Sequence, residues 1–165
     1  MEAPPSLPRV LACLVVGSNG ASTLGGVSRG ISTGEDRARF LALRQSPEVG
    51  ALVVGSRTAE SEPYGKTPRP LFIYRRSTGL SPGAFIDEIC EGITGAILCE
   101  GGVTLIHHLL TDESLDSFYL TRTRADGDGH FLDETLLLAK MSLASREEVN
   151  GTTFELYERA SRLMG

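Results

Sequence analysis

The segment Glu100-Gly101-Gly102 has the residue types of an anion-binding turn. The apolar run that ends at Cys99 predicts a strand before it, and the run from Val103 predicts a helix after it. A helix N-terminus carries unpaired backbone N–H groups, and glycine lets a phosphate approach them without a Cβ in its way. Taken alone, the segment fits a phosphate cradle and a tight strand-to-helix turn equally well.

Two further segments could contribute to the same site. Gly55-Ser56-Arg57-Thr58 follows a predicted strand, and ligands of open α/β sheets bind beyond the carboxyl ends of strands. The glycine-rich residues 17–34 follow the first strand, and loops of this length tend to be functional. The three segments together suit a dinucleotide. The glycines from Gly25 to Gly30 do not have GxGxxG spacing, which disfavours an ordinary Rossmann domain.

Apolar runs between polar turns predict the elements that position these segments. The expected strands span residues 10–16, 51–54, 71–74, 95–99 and 115–122, followed by hairpin strands at 136–143 and 152–157. The expected helices span residues 33–45, 81–91 and 103–110. Thr33 and Asp36 form a capping pattern, and Ala38, Leu41 and Ala42 are the expected apolar face of that first helix. Strands alternating with helices predict one α/β domain over residues 1–165, after an extended arm at 1–8.

Several blocks of the chain occur in an order typical of one family. The blocks are Ser18-Asn19-Gly20, Ile31-Ser32, Leu43-Arg44, Val53 to Thr58, Glu62-Pro63, and Glu-Gly-Gly-x-x-Leu from Glu100 to Leu105. From about residue 10 to 122 the chain resembles the reductase domain of bifunctional riboflavin deaminase-reductases. The resemblance implies a three-layer dihydrofolate-reductase-like fold, with a mixed, mostly parallel central sheet, helices on both faces and a C-terminal antiparallel hairpin.

The resemblance also implies a function: reduction of a phosphoribosylamino-pyrimidine to its ribityl form with NADPH. The implied cofactor contacts are Val16, Gly30, Gly55, Ser56, Arg57, Thr58, Gly101, Gly102, Val103, Thr104 and Leu105. The implied contacts with a phosphorylated substrate are Ser28, Ser32, Arg44, Glu62, Arg69 and Glu100. Asn19 and Glu100 are the catalytic candidates, with Glu100 as a hydrogen-bond acceptor for substrate hydroxyls in preference to a proton donor. The related domains associate in pairs, so a homodimer is expected.

Three departures from the family pattern leave alternatives open. The family usually has Asp where Asn19 stands, an aromatic residue near Gly30, and two acidic residues where this chain has Ser61-Glu62. These departures predict a substrate pocket that differs from that of the family. One alternative is therefore a reductase of a pterin or another carbonyl compound, and the other is an NADPH-binding protein without turnover.

The remaining polar patterns favour structural roles. His107 and His108 are adjacent, so on a helix they point about 100° apart, whereas helical metal pairs use i, i+3 or i, i+4 spacing. No metal site is expected. The pattern Asp126-Gly-Asp-Gly129 favours a turn over a calcium loop, because Phe131 stands where such a loop needs glycine. Arg75-Arg76 is interpreted as a solvated strand end.

Composition excludes other classes of function. The formal net charge of −5 argues against a nucleic-acid binder, which usually carries a basic face. The apolar run at residues 10–17 is far shorter than the roughly 20 residues of a membrane span, and it lacks a signal-peptide cleavage pattern. The three cysteines show no CxxC spacing and favour reduced, buried thiols. These features predict a cytoplasmic protein.

Overall fold

The computed structural model describes residues 9–61, 67 and 69–159, with Ser61 described by its backbone alone. The arm expected at residues 1–8 lies outside the described residues. The described strands are β1 Val10–Val16, β2 Ala21–Thr23, β3 Val49–Gly55, β4 Leu71–Tyr74, β5 Ala96–Cys99, β6 Ser117–Arg122, β7 Gly129–Phe131, β8 Met141–Val149 and β9 Thr152–Arg159. The described α-helices are α1 Gly34–Gln45, α2 Ser56–Ser61, α3 Pro82–Gly92, α4 Val103–Thr111 and α5 Glu134–Lys140.

Seven of the described strands form one sheet in the order β4-β3-β5-β1-β6-β9-β8. The first five of these run parallel, and β9 and β8 are antiparallel additions beyond β6. The continuous apolar sequence of β1 explains its central position, because a strand there is covered on both faces. The mixed sheet and its antiparallel hairpin agree with the sequence-based expectation.

Successive residues of β1 point to opposite faces and enter two separate cores. Ala12 and Val16 belong to the larger core, which contains side chains from α3, α4 and α5. Leu11 and Cys13 belong to the smaller core, against which Phe40 of α1 packs. Helices therefore cover both faces of the sheet, and the layers hold the carboxyl ends of the parallel strands at one edge.

The predicted cap of α1 is confirmed, but its predicted apolar face is wrong. The Thr33 side chain accepts a hydrogen bond from the Asp36 backbone N–H at 3.1 Å. Leu41 is 50% exposed, whereas Phe40 and Leu43 pack against the smaller core. The Phe40 and Leu43 side chains together bury more apolar area than Leu41 and its neighbouring alanines would. The helix therefore turns the Phe40 and Leu43 face towards the sheet.

The strand predicted at residues 136–143 is wrong over residues 136–140 and correct over its last three residues, which belong to β8. The structure instead has α5 over Glu134–Lys140, and β8 begins only at Met141. The Asp133 side chain caps α5 by accepting from the Leu136 backbone N–H at 3.0 Å. A short apolar run has no periodicity that separates a strand from a buried helix, and here the cap and the good helix formers that follow it prevail.

Two short strands interrupt the segments expected to be loop and turn. β2 lies within residues 17–34, and it pairs with β7 in a second, two-stranded sheet, with Ala21 opposite Phe131 and Thr23 opposite Gly129. The polar residues after β3 form the short helix α2. The two-stranded sheet lies at the same edge as the carboxyl end of β1, which runs into it directly.

A buried carboxylate stabilises the junction of β6, β8 and β9. Glu155 accepts hydrogen bonds from Arg122 and Arg146 at 2.8 Å each and from the Tyr157 hydroxyl at 2.9 Å. Arg122 also pairs with Glu134 of α5 at 2.6 Å. Burial opposes ionisation of Glu155, but these hydrogen bonds outweigh it and lower the pKa of the carboxyl group.

The cysteines are free thiols. Cys13 and Cys99 are buried, and burial raises the pKa of each. Cys90 is half-buried, and burial raises its pKa as well. Among the described residues, no helix is both long enough and apolar enough to cross a membrane.

Candidate cofactor cleft

A cleft of about 300 Å³ opens at the carboxyl ends of the parallel strands. Gly55 and Tyr74 end the neighbouring strands β3 and β4 in register, and Cys99 of β5 leads into the helix that forms another wall. The lining residues are Ser22, Thr23, Gly26, Gly55, Ser56, Arg57, Thr58, Tyr74, Arg76, Gly102, Val103, Thr104, Leu105, His108 and His130. The cleft is therefore built from the two strand ends, the first turn of α4 and the β2–β7 sheet.

The first turn of α4 presents its backbone to the cleft. Gly102 is the N-cap residue and provides no side-chain hydrogen bond to the helix. The first hydrogen bond within the helix runs from the Ile106 N–H to the Gly102 carbonyl, at 3.1 Å. The N–H groups of Val103, Thr104 and Leu105 lie before it and therefore have no carbonyl partner within the helix. These donors and the helix dipole favour an anion at this point.

Glycine at position 102 allows a close approach to Thr58 that a side chain would prevent. A Cβ built on Gly102 would lie only 2.9 Å from the Thr58 hydroxyl oxygen. The Gly55 backbone N–H donates to the Gly101 carbonyl at 3.2 Å, which ties the end of β3 to this turn. The peptide between Gly101 and Gly102 is cis. The close approach of α2, β3 and α4 is what gives the two predicted segments one common cleft.

The charge of the cleft differs from the charge of the chain. Arg57 and Arg76 line it, together with His108 and His130, and its described lining contains no Asp or Glu. The chain as a whole carries a formal charge of −5. Hydroxyl groups of Ser56 and Thr58 add further polar partners. Backbone donors and guanidinium groups, with no carboxylate in the described lining, favour an anionic ligand over a cationic one.

Glu100 forms a buried ion pair with Arg44. Its side chain is fully buried, and its two carboxylate oxygens accept from Arg44 Nε and Nη2 at 2.6 and 2.7 Å. The Arg44 guanidinium also lies over the Phe40 ring, 4.5 Å from its centroid. Two residues predicted to contact substrate therefore contact each other.

Asn19 links the β1–β2 turn to the segment before β7. Its side-chain nitrogen donates to the Gly127 carbonyl at 2.8 Å, and its oxygen accepts from the Gly127 N–H at 3.2 Å. The Gly25 N–H, in the turn after β2, donates to the Asp128 carboxylate at 3.0 Å and adds a second link to the segment before β7. Asn19 thus has a visible positioning function, and its catalytic function stays a prediction.

Eight of the eleven predicted cofactor residues line the cleft, and Gly101 adjoins it. Val16 is fully buried in β1, and Gly30 packs beside Leu24, so neither is part of the cleft lining. The eight are Gly55, Ser56, Arg57, Thr58, Gly102, Val103, Thr104 and Leu105. Their roles in cofactor binding stay predictions.

The predicted substrate residues are more dispersed. Ser32 donates to Asp36 at 2.7 Å, and Arg69 donates to the Ser46 carbonyl at 3.2 Å. The Ser28 carbonyl accepts from the Ile31 N–H at 2.9 Å. Glu62 lies outside the described residues. None of the described members of this set is part of the cleft lining.

Sequence reasoning missed several lining residues. Ser22, Thr23 and His130 lie on β2 and β7, which are too short to show a periodic pattern. Arg76 is exposed, as expected for a solvated strand end, but it also lines the cleft. The position of Arg76 after a parallel strand was the available signal.

The adjacent histidines separate into two environments. His108 lines the cleft, whereas His107 Nε2 accepts from the Asp133 backbone N–H at 2.9 Å. Burial lowers the pKa of His107. The divergence follows from the 100° between neighbouring helical residues. One histidine therefore contacts the start of α5, and the other faces the candidate ligand site.

The sheet order, the two helical layers and the cleft define the dihydrofolate-reductase-like class of α/β fold. A deaminase/5-amino-6-(5-phosphoribosylamino)uracil reductase from Thermotoga maritima matches 93% of this chain with a TM-score of 0.73 and 14% identity. The chain spans 57% of that protein's length. Dihydrofolate reductase from Enterococcus faecalis, complexed with NADP(H), is similar to this chain with a TM-score of 0.63 and 15% identity. The match covers 93% of this chain and 97% of the reductase chain.

These likenesses confirm the predicted fold. Neither a family profile nor a curated protein matches the sequence. At 14–15% identity, these likenesses show the fold alone.

Proposed function

We propose that the chain is an NADPH-dependent reductase that transfers hydride to the sugar carbon of a phosphoribosylamino-pyrimidine or a related substrate. One observation carries the proposal: the uncapped first turn of α4 and the guanidinium groups of Arg57 and Arg76 line one cleft without a described carboxylate. An anionic dinucleotide needs this combination of backbone donors and positive charge.

The residues present fit that cofactor. Glycine at position 102 lets Thr58 lie close to the start of α4, so that its hydroxyl and the backbone N–H groups of Val103 to Leu105 can face one phosphate. Thr58 and Ser56 offer hydroxyl groups, and Arg57 offers a planar guanidinium for the additional phosphate that distinguishes NADPH from NADH. When bound, NADPH supplies the hydride.

The protein's contribution to such a reaction is positioning and exclusion of water. The β2–β7 sheet forms one wall of the cleft. The hydrogen bonds of Asn19 with Gly127 hold the turn between β1 and β2 against the segment before β7. Arg44 holds both oxygens of Glu100, so Glu100 acts as a fixed, buried anion that orients the Arg44 guanidinium. We therefore assign Glu100 a positioning role, and the proton that completes the reduction comes from water.

A binding protein without turnover is the second candidate. The Arg44–Glu100 pair favours it, because the carboxylate expected to accept substrate hydroxyls already has both oxygens engaged. A reductase of a pterin or another carbonyl compound is a third possibility within the same fold. We also propose a cytoplasmic location, since Cys13 and Cys99 are free thiols.

Titration and turnover separate these functions. The purified chain is titrated with NADPH and with NADH, and the absorbance of NADPH is then followed after addition of 5-amino-6-(5-phosphoribosylamino)uracil or dihydrofolate. Loss of absorbance with the pyrimidine supports the proposal, and loss with dihydrofolate alone supports the pterin alternative. Binding without turnover indicates the non-catalytic protein. Absence of NADPH binding rejects all three.

A further inference from the structure

His107 connects the two walls of the cleft without belonging to its lining. One wall is the first turn of α4, and the other, the β2–β7 wall, carries His130. The His107 Nε2 atom accepts a hydrogen bond from the backbone N–H of Asp133 at 2.9 Å, three residues after His130. Among the described residues, no other hydrogen bond links α4 to the segment that runs from β7 into α5.

Asp133 is the point at which this hydrogen bond acts. Its side chain caps α5 by accepting from the Leu136 N–H at 3.0 Å, and its own N–H is directed at His107. One residue earlier, the Leu132 N–H donates to the Gly20 carbonyl at 3.0 Å. The chain that leaves β7 is therefore held between the β1–β2 turn on one side and α4 on the other.

One protonation state of His107 can make this hydrogen bond. A ring nitrogen that accepts a hydrogen bond carries no proton, so the neutral ring holds its proton on Nδ1. A protonated ring has two N–H groups and no acceptor, which leaves the Asp133 N–H without its partner. The hydrogen bond is therefore present above the pKa of His107 and lost below it.

The surroundings of His107 favour the neutral ring. Burial lowers the pKa of His107, and this effect exceeds the attraction of the Asp133 carboxylate for a proton. The neighbouring His108 lowers the pKa further. α3 and β7 also pack against α4, but among the described residues they contribute no charged group that acts on this ring. At neutral pH the ring is therefore an acceptor.

We propose that His107 is a positioning residue of the cleft, whose neutral, Nδ1-protonated ring holds Asp133 and thereby keeps the β2–β7 wall at a fixed distance from the start of α4. This role rests on the proposed function, because the ligand that needs this spacing is the nucleotide. Acid then weakens nucleotide binding through His107. As pH falls below about 6.5, the ordinary pKa of histidine, the ring becomes protonated and the wall is released.

Two substitutions separate the acceptor from its titration. His107→Gln keeps an acceptor oxygen that does not titrate, and His107→Leu keeps an apolar side chain without an acceptor. Thr111→Val is the matched control on α4, since it removes only the hydroxyl that donates to the His107 carbonyl at 2.9 Å. Affinity for NADP⁺, the acid-stable form of the cofactor, is measured by isothermal titration between about pH 8 and 5, with circular dichroism as the check on folding.

The expected changes follow from the loss of one neutral hydrogen bond, which corresponds to about two- to tenfold weaker binding. His107→Leu is expected to show this loss at about pH 8, where His107→Gln and Thr111→Val bind like the wild type. Toward about pH 5, the ratio of the wild-type to the His107→Gln dissociation constant is expected to rise by the same factor. The ratio cancels every titration that the two proteins share, including that of the nucleotide.

Nitrogen NMR of the histidine rings tests the tautomer without any nucleotide. The chain has three histidines, and the signal that is absent from His107→Gln identifies the ring. At about pH 8 this ring is expected to carry its proton on Nδ1 alone.

Three results overturn the positioning role: a ring protonated on Nε2, a folded His107→Leu protein with wild-type affinity, or a ratio that does not change with pH. If His107→Leu does not fold, the tautomer and the ratio decide. A wild type that binds neither NADP⁺ nor NADPH overturns the proposed function, and the positioning role with it. Binding by the wild type with any of the first three results overturns the positioning role alone.

Discussion

A single methyl group at position 102 should separate a phosphate cradle from a turn that merely uses glycine. Gly102 has extended backbone angles, φ −85° and ψ −167°, so alanine is tolerated without a left-handed strain. Its Cβ would lie 2.9 Å from the Thr58 hydroxyl oxygen, about 0.5 Å short of ordinary van der Waals contact. The methyl group must displace the Thr58 hydroxyl and occupy the space at the start of α4.

The expected loss follows from the hydrogen bonds that this displacement breaks. One charge-assisted bond to a phosphate contributes about 1.5–3 kcal/mol, which corresponds to roughly ten- to 150-fold weaker NADPH binding in Gly102→Ala. Isothermal titration with NADPH measures the affinity, and a thermal melt on the same sample measures stability. Gly92→Ala is the matched control, since its Cβ would meet nothing within 4 Å. A folded Gly102→Ala protein with wild-type affinity would place the phosphates elsewhere and refute the cradle.

Three further substitutions address charge. Arg57→Ala should weaken NADPH binding about tenfold and leave NADH binding unchanged, because only NADPH carries the additional phosphate; parallel titrations with both nucleotides check this. Glu100→Gln leaves the Arg44 guanidinium without its buried anion and should lower the free energy of unfolding by about 3 kcal/mol. This corresponds to a melting temperature lower by about 6–12 °C, whereas a Glu91→Gln control at an exposed position should melt like wild type. The lowered pKa of Glu155 stabilises the fold above its unfolded value of about 4.3, and this contribution is lost as pH falls through the folded value. Glu155→Gln should therefore melt lower at pH 7 and lose less on acidification to about pH 3 than wild type does; equal losses contradict the assignment.

The sequence predicted the parts of this fold whose signals are local. β1 and β4 begin and end at the expected residues, and Thr33 caps α1 as expected. The predicted strand, Glu100-Gly101-Gly102 turn and helix are present as β5, the turn and α4, at the edge where parallel strands end. Continuous apolar runs, glycines and capping residues each carry their information within a few positions.

The missed parts depend on contacts between distant segments. β2 and β7 are three residues each and pair across about a hundred positions, so neither strand has a periodicity of its own. Glu100, predicted to accept substrate hydroxyls, lies 56 positions from Arg44 in the sequence. Their ion pair depends on how closely α1 packs against β5, and nothing within either segment encodes that distance.

The charge of the cleft has a kinetic consequence. A chain with a formal charge of −5 repels a multiply charged nucleotide at long range, but the described cleft lining carries Arg57 and Arg76 and no carboxylate. For the nucleotide proposed above, approach from most directions would therefore be unproductive, and the field near the opening would guide the anion inward. Salt screens the distant repulsion and the local attraction alike, with a Debye length of about 8 Å at physiological ionic strength. The rate of encounter, more than the lifetime of the complex, is the quantity that ionic strength controls in such an arrangement.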